Sequence, residues 1–387
     1  MEYRPFGKLD WQVSALGFGA MRLPRTSDDP ADIDEPLATR MIRHAIDQGL
    51  NYVDTAYPYH SGKSEPLVGR ALKDGYRSKV RLATKLPCWM VESADDFDKY
   101  LNEQLQRLDV EYIDFYLLHS LDQKSWHKVR DLGVLPWAEG ALADGRIRHL
   151  GFSFHDDNAT FTEIVDAYDW TFCQIQYNYM DIERQAGTKG LQYAAAKGLA
   201  VVIMEPLLGG RLARPPARIQ AIWDEAEQKR TAADWALQWL WNQPEVAVVL
   251  SGMSAMQHVQ ENLASADTSG VGTLNDEELA LVARVRDAYS RVCPIPCTQC
   301  NYCMPCPSGV DIPRVFEVFN DGVMHDDPEG ARRGYGFIDE EARADQCTQC
   351  LQCEELCPQH IPIHEWMVHA EEVLAQGRSY EECLPHP

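Results

Sequence analysis

Before its cysteine-rich tail, the chain is constrained most by a rhythm of two segment types. Short β-branched or apolar runs occur at 14–21, 51–55, 80–85, 113–119, 149–154, 172–177, 200–205 and 246–252. Between them lie longer stretches at 37–48, 64–72, 95–108, 126–143, 161–168, 190–197 and 232–241. Their apolar residues recur at three- and four-residue steps, the period of an amphipathic helix. Strands that alternate with helices must pair in parallel, because a hairpin cannot join parallel neighbours. Eight such units in about 270 residues fit a closed barrel of eight strands and eight helices. A doubly wound open sheet would carry Gly-x-Gly-x-x-Gly after its first strand. Here that strand ends Gly17-Phe18-Gly19-Ala20-Met21, without the third glycine. The expected fold is therefore α/β, an eight-stranded TIM barrel, preceded by a hairpin over 2–13 around Gly7-Lys8.

The barrel rhythm stops near Ala266. A Gly/Ser/Thr-rich joint follows at 267–274, then a helix over 275–290, then the cysteines. Two domains are expected, a barrel over 1–274 and a linker helix with a cysteine-rich domain over 275–387. With 36 basic and 59 acidic residues the chain carries a net charge of −23. Such a surface repels phosphate backbones and anionic lipid, which argues against nucleic acid and membrane as partners. The N-terminus shows no signal peptide and no apolar run reaches the length of a membrane span, so a cytoplasmic protein is expected. In that reducing setting, closely spaced cysteines point to metal rather than disulfides.

In barrels of this type chemistry sits on the loops after the strands. Four titratable groups stand there: Asp54 at the end of the second run with Tyr59 just beyond, Lys85 at the end of the third, and His119 at the end of the fourth. Singly, each has an ordinary reading as a cap, a rim lysine, a core histidine or an interface aromatic. On consecutive strands of one rim they assemble a reaction. A lysine ammonium beside a phenol is expected to lower the phenol's pKa from its ordinary value near ~10. A carboxylate would hold the lysine charged, and a histidine would bond the reacting oxygen. The chemistry is general-acid reduction of a small carbonyl, or oxidation of an alcohol, with hydride from a cofactor.

Residues 1 to about 266 resemble the aldo/keto reductase family. The matching stretches are Leu16-Gly-Phe-Gly-Ala-Met, Val53-Asp-Thr-Ala-Tyr-Pro-Tyr, Ala83-Thr-Lys, Asp114-Phe-Tyr-Leu-Leu-His, Gly151-Phe-Ser, Gln174-Ile-Gln-Tyr-Asn and Glu261-Asn-Leu. The resemblance implies a catalytic tetrad at Asp54, Tyr59, Lys85 and His119, and NADP or NAD bound without a Rossmann turn. It implies that Ser153 and Gln174 hold the carboxamide. The segment Met204, Glu205, Pro206, Leu207 and Gly209 would line the nicotinamide and pyrophosphate, and the strand-end residues Gly19 and Met21 would also bind the cofactor. Ser251, Met253, Glu261 and Asn262 would hold the adenosine end. The chain departs from the family at several places. Phe154 stands where an Asn commonly follows the Ser, and Met204 where many members stack a Tyr. Gly252 and His258 fall where NADP-dependent members often place Lys and Arg, which leaves NADH and NADPH both open.

The tail holds two cysteine runs. Cys347-Thr-Gln-Cys350-Leu-Gln-Cys353-Glu-Glu-Leu-Cys357-Pro is the full ferredoxin spacing for a 4Fe–4S cluster. Zinc is the alternative, but zinc sites rarely set four cysteines this closely. Cys297-Thr-Gln-Cys300-Asn-Tyr-Cys303-Met-Pro-Cys306-Pro is one residue shorter before its last cysteine. In two-cluster ferredoxins the last cysteine of each run serves the other cluster. By that rule Cys297, Cys300, Cys303 and Cys357 take one cluster, and Cys347, Cys350, Cys353 and Cys306 the other. Cys293 is a spare thiol or a substitute ligand. Cys88, Cys173 and Cys383 read as ordinary thiols, although Cys88 is close enough to Lys85 to line the pocket. Helices are expected near Pro313 and over 361–374, the second with His364 and His369 five apart, the wrong step for a shared face. The tail resembles helical dicluster ferredoxins.

Together these features describe an oxidoreductase with two clusters that exchange single electrons with a protein partner or serve structure alone. A cluster moves one electron and nicotinamide moves two together, and no flavin signature bridges them. Two other readings stand beside it: an electron carrier or redox sensor that uses the barrel as scaffold, and a ferredoxin-fed reductase without nicotinamide.

Overall fold

The structure, a computed structural model, describes residues 1–297 and 299–383. Eight strands close into a parallel barrel: β3 (Leu16–Gly19), β4 (Tyr52–Asp54), β5 (Arg81–Leu86), β6 (Ile113–Leu121), β7 (Ile147–Phe154), β8 (Phe172–Gln176), β9 (Ala200–Met204) and β10 (Val246–Ser251), with β10 pairing back onto β3. This is the TIM barrel expected from the alternation. The N-terminal hairpin, β1 (Tyr3–Phe6) and β2 (Leu9–Ser14), pairs separately. Its Phe6 and Val13 join the barrel's interior layer with Tyr52, Ala83, Phe115, Leu117, Phe172 and Val202. Phe6 lies 4.7 Å from Phe115 and 5.8 Å from Phe172 between ring centroids, so the hairpin packs into the interior aromatics.

The helices follow local chemistry. Glu35–Asp47 starts where the Asp34 carboxylate accepts from the Leu37 N–H, with a proline in the first turn. Asp95–Leu108 buries Phe97, Tyr100, Leu101, Gln104 and Leu108 along one face and stops at Asp109, whose φ is 53°. The stretch 126–143, expected as one helix, is two, Gln123–Asp131 and Val134–Ala143. Gly133 separates them at φ 87°, a conformation that breaks the helical ladder.

The chain divides into two compact units, one of residues 1–210 with 233–279 and the other of 211–232 with 280–387. The 22-residue excursion 211–232 thus leaves the sequence between β9 and the helix Ala232–Trp241 yet groups with the tail. Within that second unit Arg211 bonds Asp321, and Arg218 donates to the carbonyls of Val323 and Met324 at 3.2 and 2.9 Å. Arg284 pairs with Glu225 at 2.6 Å. The unit has its own core, which includes Ile295, Val315, Phe316, Phe319, Trp366, Met367 and Val373. Its principal helix, Ile312–Met324, is the one expected near Pro313 and begins at an Asp311 cap. The second expected helix runs Ile363–Ala370 and continues as a π-helical turn, Glu371–Ala375. No helix among the described residues is long and apolar enough to cross a membrane.

Candidate active site and cluster sites

Side chains on a strand alternate between faces, so a residue two steps beyond an interior residue also faces inward. That rule positions the site. Tyr52, Ala83, Leu117, Phe172 and Val202 are interior residues. Two steps toward the C-terminal ends of the same strands lie Asp54, Lys85, His119, Gln174 and Met204. The interior layer of the barrel therefore changes from apolar to polar at its mouth.

The four tetrad positions meet there. Lys85 Nζ donates to Asp54 Oδ1 at 2.7 Å and to the Thr55 carbonyl at 2.8 Å, and lies 3.4 Å from Tyr59 Oη. The Tyr59 and His119 rings stand edge to face with centroids 6.0 Å apart. Asp54 Oδ2 and His119 Nδ1 are buried without a hydrogen-bond partner among the described residues. Buried polar atoms left unpaired are costly, so both mark places where a further partner would be favourable.

Burial raises the Asp54 carboxyl, with Lys85 opposing. Burial also works against the Lys85 ammonium, but Asp54 and Tyr59 outweigh it and hold the lysine above its ordinary value. The expected lowering of Tyr59 does not result. Burial pushes the phenol up, and Lys85 offsets only part of that rise. The consequence is a phenol kept in its proton-bearing form beside a charged lysine. His119 is driven well below its ordinary value, first by burial and then by the Lys85 charge, so it is neutral.

Around this centre, Ser153 and Gln174 are direct neighbours across β7 and β8. Ser153 Oγ accepts from the Ser120 N–H at 2.7 Å, which leaves its hydroxyl hydrogen to donate outward. Gln174 Oε1 is buried and unpartnered among the described residues. One donor and one acceptor side by side suit a carboxamide. Phe154, one step on, faces the other way and packs on Phe161 at 5.1 Å, so it takes no part in this pair. After β9 the backbone turns through positive φ at Glu205, Leu208, Gly209 and Gly210. Glu205 and Gly209 are exposed, and Pro206 is buried. Asn262 Nδ2 donates to Ser251 Oγ at 2.9 Å inside the protein. Met253 is buried in the core, Glu261 is exposed and paired with Gln257, and Met21 is exposed beside Gly19.

Two residues at the mouth were not legible in the sequence. Trp89, on the loop after β5, lies 5.0 Å from His119 between ring centroids and is exposed. Arg22 follows Met21 and lies against two glycines. Cys88 is fully buried, its thiol pushed up to about 12 by burial, with Sγ toward the Leu86 carbonyl.

In the second unit two cavities carry the cysteines. Cys306, Cys347, Cys350 and Cys353 line one. Cys297, Cys300, Cys303 and Cys357 line another. The two runs share a backbone form. Gln299 and Asn301 flank Cys300 with φ 55° and 61°, and Gln349 and Leu351 flank Cys350 with φ 55° and 62°. The left-handed residues on either side of the central cysteine curl each loop, which lets short-spaced thiols face one point. Four thiols on one small cavity are a donor set suited to an iron–sulfur cubane. Cys293 lines neither cavity and its Sγ turns to the Ile295 carbonyl. His364 bonds Glu354 at 2.5 Å. His369, Glu372 and Cys383 place ligand-type atoms within 4.8 Å of one another, a grouping their sequence separation does not suggest.

The sequence model of the aldo/keto reductase family matches residues 15–287, and that of a 4Fe-4S dicluster domain matches 296–361. The NADH-specific methylglyoxal reductase of Escherichia coli is 26% identical over 340 residues, covering 75% of this chain and 100% of its own. Among solved structures, the holo form of aldo-keto reductase AKR11C1 from Bacillus halodurans superposes with a TM-score of 0.62 at 26% identity, covering 74% of this chain and 96% of its own. An aldo/keto reductase from Klebsiella pneumoniae, in complex with NADP and acetate, gives 0.60 at 25% identity, covering 73% and 95%. The chain is an oxidoreductase that belongs to the aldo/keto reductase family and joins its barrel to a 4Fe-4S domain.

Proposed function

We propose that the barrel interconverts a small carbonyl compound and its alcohol with a nicotinamide dinucleotide, and that Tyr59 is the general acid/base. The observation that carries this reading is the placement of Tyr59 Oη, 3.4 Å from a lysine that is itself locked to Asp54 at 2.7 Å. Bound nicotinamide supplies the hydride. Neutral His119 orients the carbonyl oxygen by a hydrogen bond. Tyr59 gives that oxygen its proton as the new C–H bond forms, so hydride on carbon and proton on oxygen complete the alcohol. The charged Lys85 stabilises the phenolate left behind until solvent reprotonates it, and Asp54 keeps Lys85 in place.

Ser153 and Gln174 hold the carboxamide. Met204, Glu205, Pro206, Leu207 and Gly209 line the nicotinamide and pyrophosphate, and Ser251, Met253, Glu261 and Asn262 the adenosine end; Gly19 and Met21 also bind the cofactor. The names of the Escherichia coli and Klebsiella pneumoniae relatives, NADH-specific in one and NADP-bound in the other, support a nicotinamide without choosing between the two.

Two 4Fe–4S clusters occupy the domain at 275–387, one on Cys297, Cys300, Cys303 and Cys357, the other on Cys306, Cys347, Cys350 and Cys353. Exposure of Cys300 and Cys350 supports exchange of single electrons with a protein partner. Anaerobic purification, with iron and sulfide counts and titration by NADH and NADPH, tests the whole reading. Unchanged absorbance and fluorescence with both nucleotides would sink the nicotinamide part. An iron count near zero would sink the clusters.

A further inference from the structure

The second unit holds a group of metal-ligating side chains that neither cysteine run uses. Helix Ile363–Ala370 and the π-helical turn Glu371–Ala375 carry His369 and Glu372, three residues apart and so on one side. The short helix Tyr380–Cys383 returns Cys383 to the same spot. One ligand atom from each of the three lies within 4.8 Å of the other two. Glu372 Oε2 is the common point: His369 Nδ1 stands 3.7 Å from it, and Cys383 Sγ donates to it at 3.4 Å. On one tetrahedral zinc ion with bonds of about 2.0–2.3 Å, a nitrogen and an oxygen would stand about 3.3 Å apart, and a sulfur and an oxygen about 3.5 Å. The two observed edges are close to those. His369 Nδ1 is buried with no hydrogen-bond partner among the described residues, and a bound cation would satisfy its lone pair. Trp366 packs edge to face on the His369 ring at 5.7 Å and limits how that ring can turn. Arg378 Nη1 holds the other Glu372 oxygen, Oε1, at 2.7 Å, which leaves Oε2 for the ion. Arg378 also faces Glu382 at 3.7 Å. With that charge matched, the Glu372 carboxylate and a Cys383 thiolate remain to neutralise a divalent cation.

We propose that His369, Glu372 and Cys383 form a mononuclear zinc site, separate from the two clusters. The donor set selects the ion. Magnesium and calcium take oxygen ligands, and an iron–sulfur cubane takes four thiolates. One thiolate, one imidazole and one carboxylate suit Zn²⁺, which accepts all three. Binding exchanges the S–H bond of Cys383 for an S–Zn bond and releases the proton to solvent, with no change of oxidation state. His369 and Glu372 are only half-buried, so water reaches the fourth position. The ion acts as a clamp. It ties the helix Tyr380–Cys383 to the helix from which Ile363 lines both cluster cavities and Met367 lines one. The cluster loops and the zinc site thus bear on the same helix, the loops near its start and the ion at its end.

The test uses the full chain, purified anaerobically with its clusters. Zn²⁺ is titrated in competition with a chromophoric chelator, and zinc, iron and sulfide are counted per chain. Wild type is expected to take one zinc with a Kd of about 1 μM or tighter, without loss of iron. Cys383→Ser and His369→Ala should each weaken binding by more than about a hundredfold, since loss of a direct ligand exceeds the roughly 10–100-fold effect of an outer-shell partner. Their iron and sulfide counts should match wild type, which separates this site from zinc misplaced among the cluster cysteines. Co²⁺ supplies a signature of the thiolate: a sulfur-to-metal charge-transfer band in the difference spectrum of wild type, absent in Cys383→Ser. Glu372→Gln keeps the shape of the side chain and is the check should either other replacement disturb the fold; its zinc affinity should fall in the same way. Wild type that takes no zinc at about 10 μM would overturn the site. Equal zinc uptake by wild type and all three variants would overturn it as well, by placing the ion elsewhere.

Discussion

Lys85 Nζ and Asp54 Oδ1 stand 2.7 Å apart with both side chains almost wholly buried. A buried charge pair of this kind adds little net stability over an apolar pair, but half of it is expensive to keep. Asp54→Asn retains the shape and removes the anion, so the Lys85 ammonium is left with the Thr55 carbonyl and Tyr59 alone. The expected cost is about 3–5 kcal/mol of barrel stability, read as a lower denaturant midpoint at unchanged slope. An unshifted midpoint would show that Lys85 gives up its proton in the variant instead of remaining charged.

Tyr59→Phe tests the proton donor. General-acid groups contribute about 10²- to 10⁴-fold to rate, and a loss in that range is expected for carbonyl reduction. Nucleotide affinity and the visible absorption of the clusters should not move, because Tyr59 Oη bonds only within the barrel mouth. Rapid-mixing measurements of nucleotide oxidation give the rate without interference from product release. Wild-type rate in the variant would remove Tyr59 from the acid role.

The direction of two pKa shifts sets the pH profile. Tyr59 donates only while protonated, and burial raises its pKa above the ordinary 10.0. Its activity in reduction is therefore present throughout neutral pH and is lost as pH rises beyond that value. His119 is depressed well below 6.5, so it is neutral from pH 6.5 upward and produces no limb near neutrality. The rate of the reduction step should be flat between pH 6.5 and 10.0, the two ordinary values. A limb centred near pH 7–8 would assign the proton to another group.

Much of this was legible in the sequence because it depends on short periods. Asp54, Lys85 and His119 end their runs, and the two-residue alternation that buries Tyr52, Ala83 and Leu117 carries them to the same face. The same rule resolves Phe154, which looked like a departure in the site and simply faces outward onto Phe161. What escaped depends on contacts without a period. Trp89 and Arg22 reach the mouth from loops, where neither spacing nor residue type announces a neighbour. The excursion 211–232 groups with the tail through pairs such as Arg211 with Asp321, which lie 110 residues apart. The height of the Tyr59 pKa escaped for another reason: sequence shows the lysine beside the phenol but not the burial that outweighs it.

Cys357 belongs by sequence to the second cysteine run and by position to the first. It shares a cavity with Cys297, Cys300 and Cys303, while Cys306 of the first run shares one with Cys347, Cys350 and Cys353. Single replacements cannot separate crossed from uncrossed ligation, because either scheme loses one cluster. Pairs of replacements can. With crossed ligation, Cys297→Ala combined with Cys357→Ala damages one cluster only, and iron falls from about eight to about four per chain. Cys347→Ala combined with Cys357→Ala damages both, and iron falls toward zero. Uncrossed ligation reverses the two results, so iron and sulfide counts on the two doubles, with electron paramagnetic resonance of the reduced proteins, decide which cysteines hold which cluster.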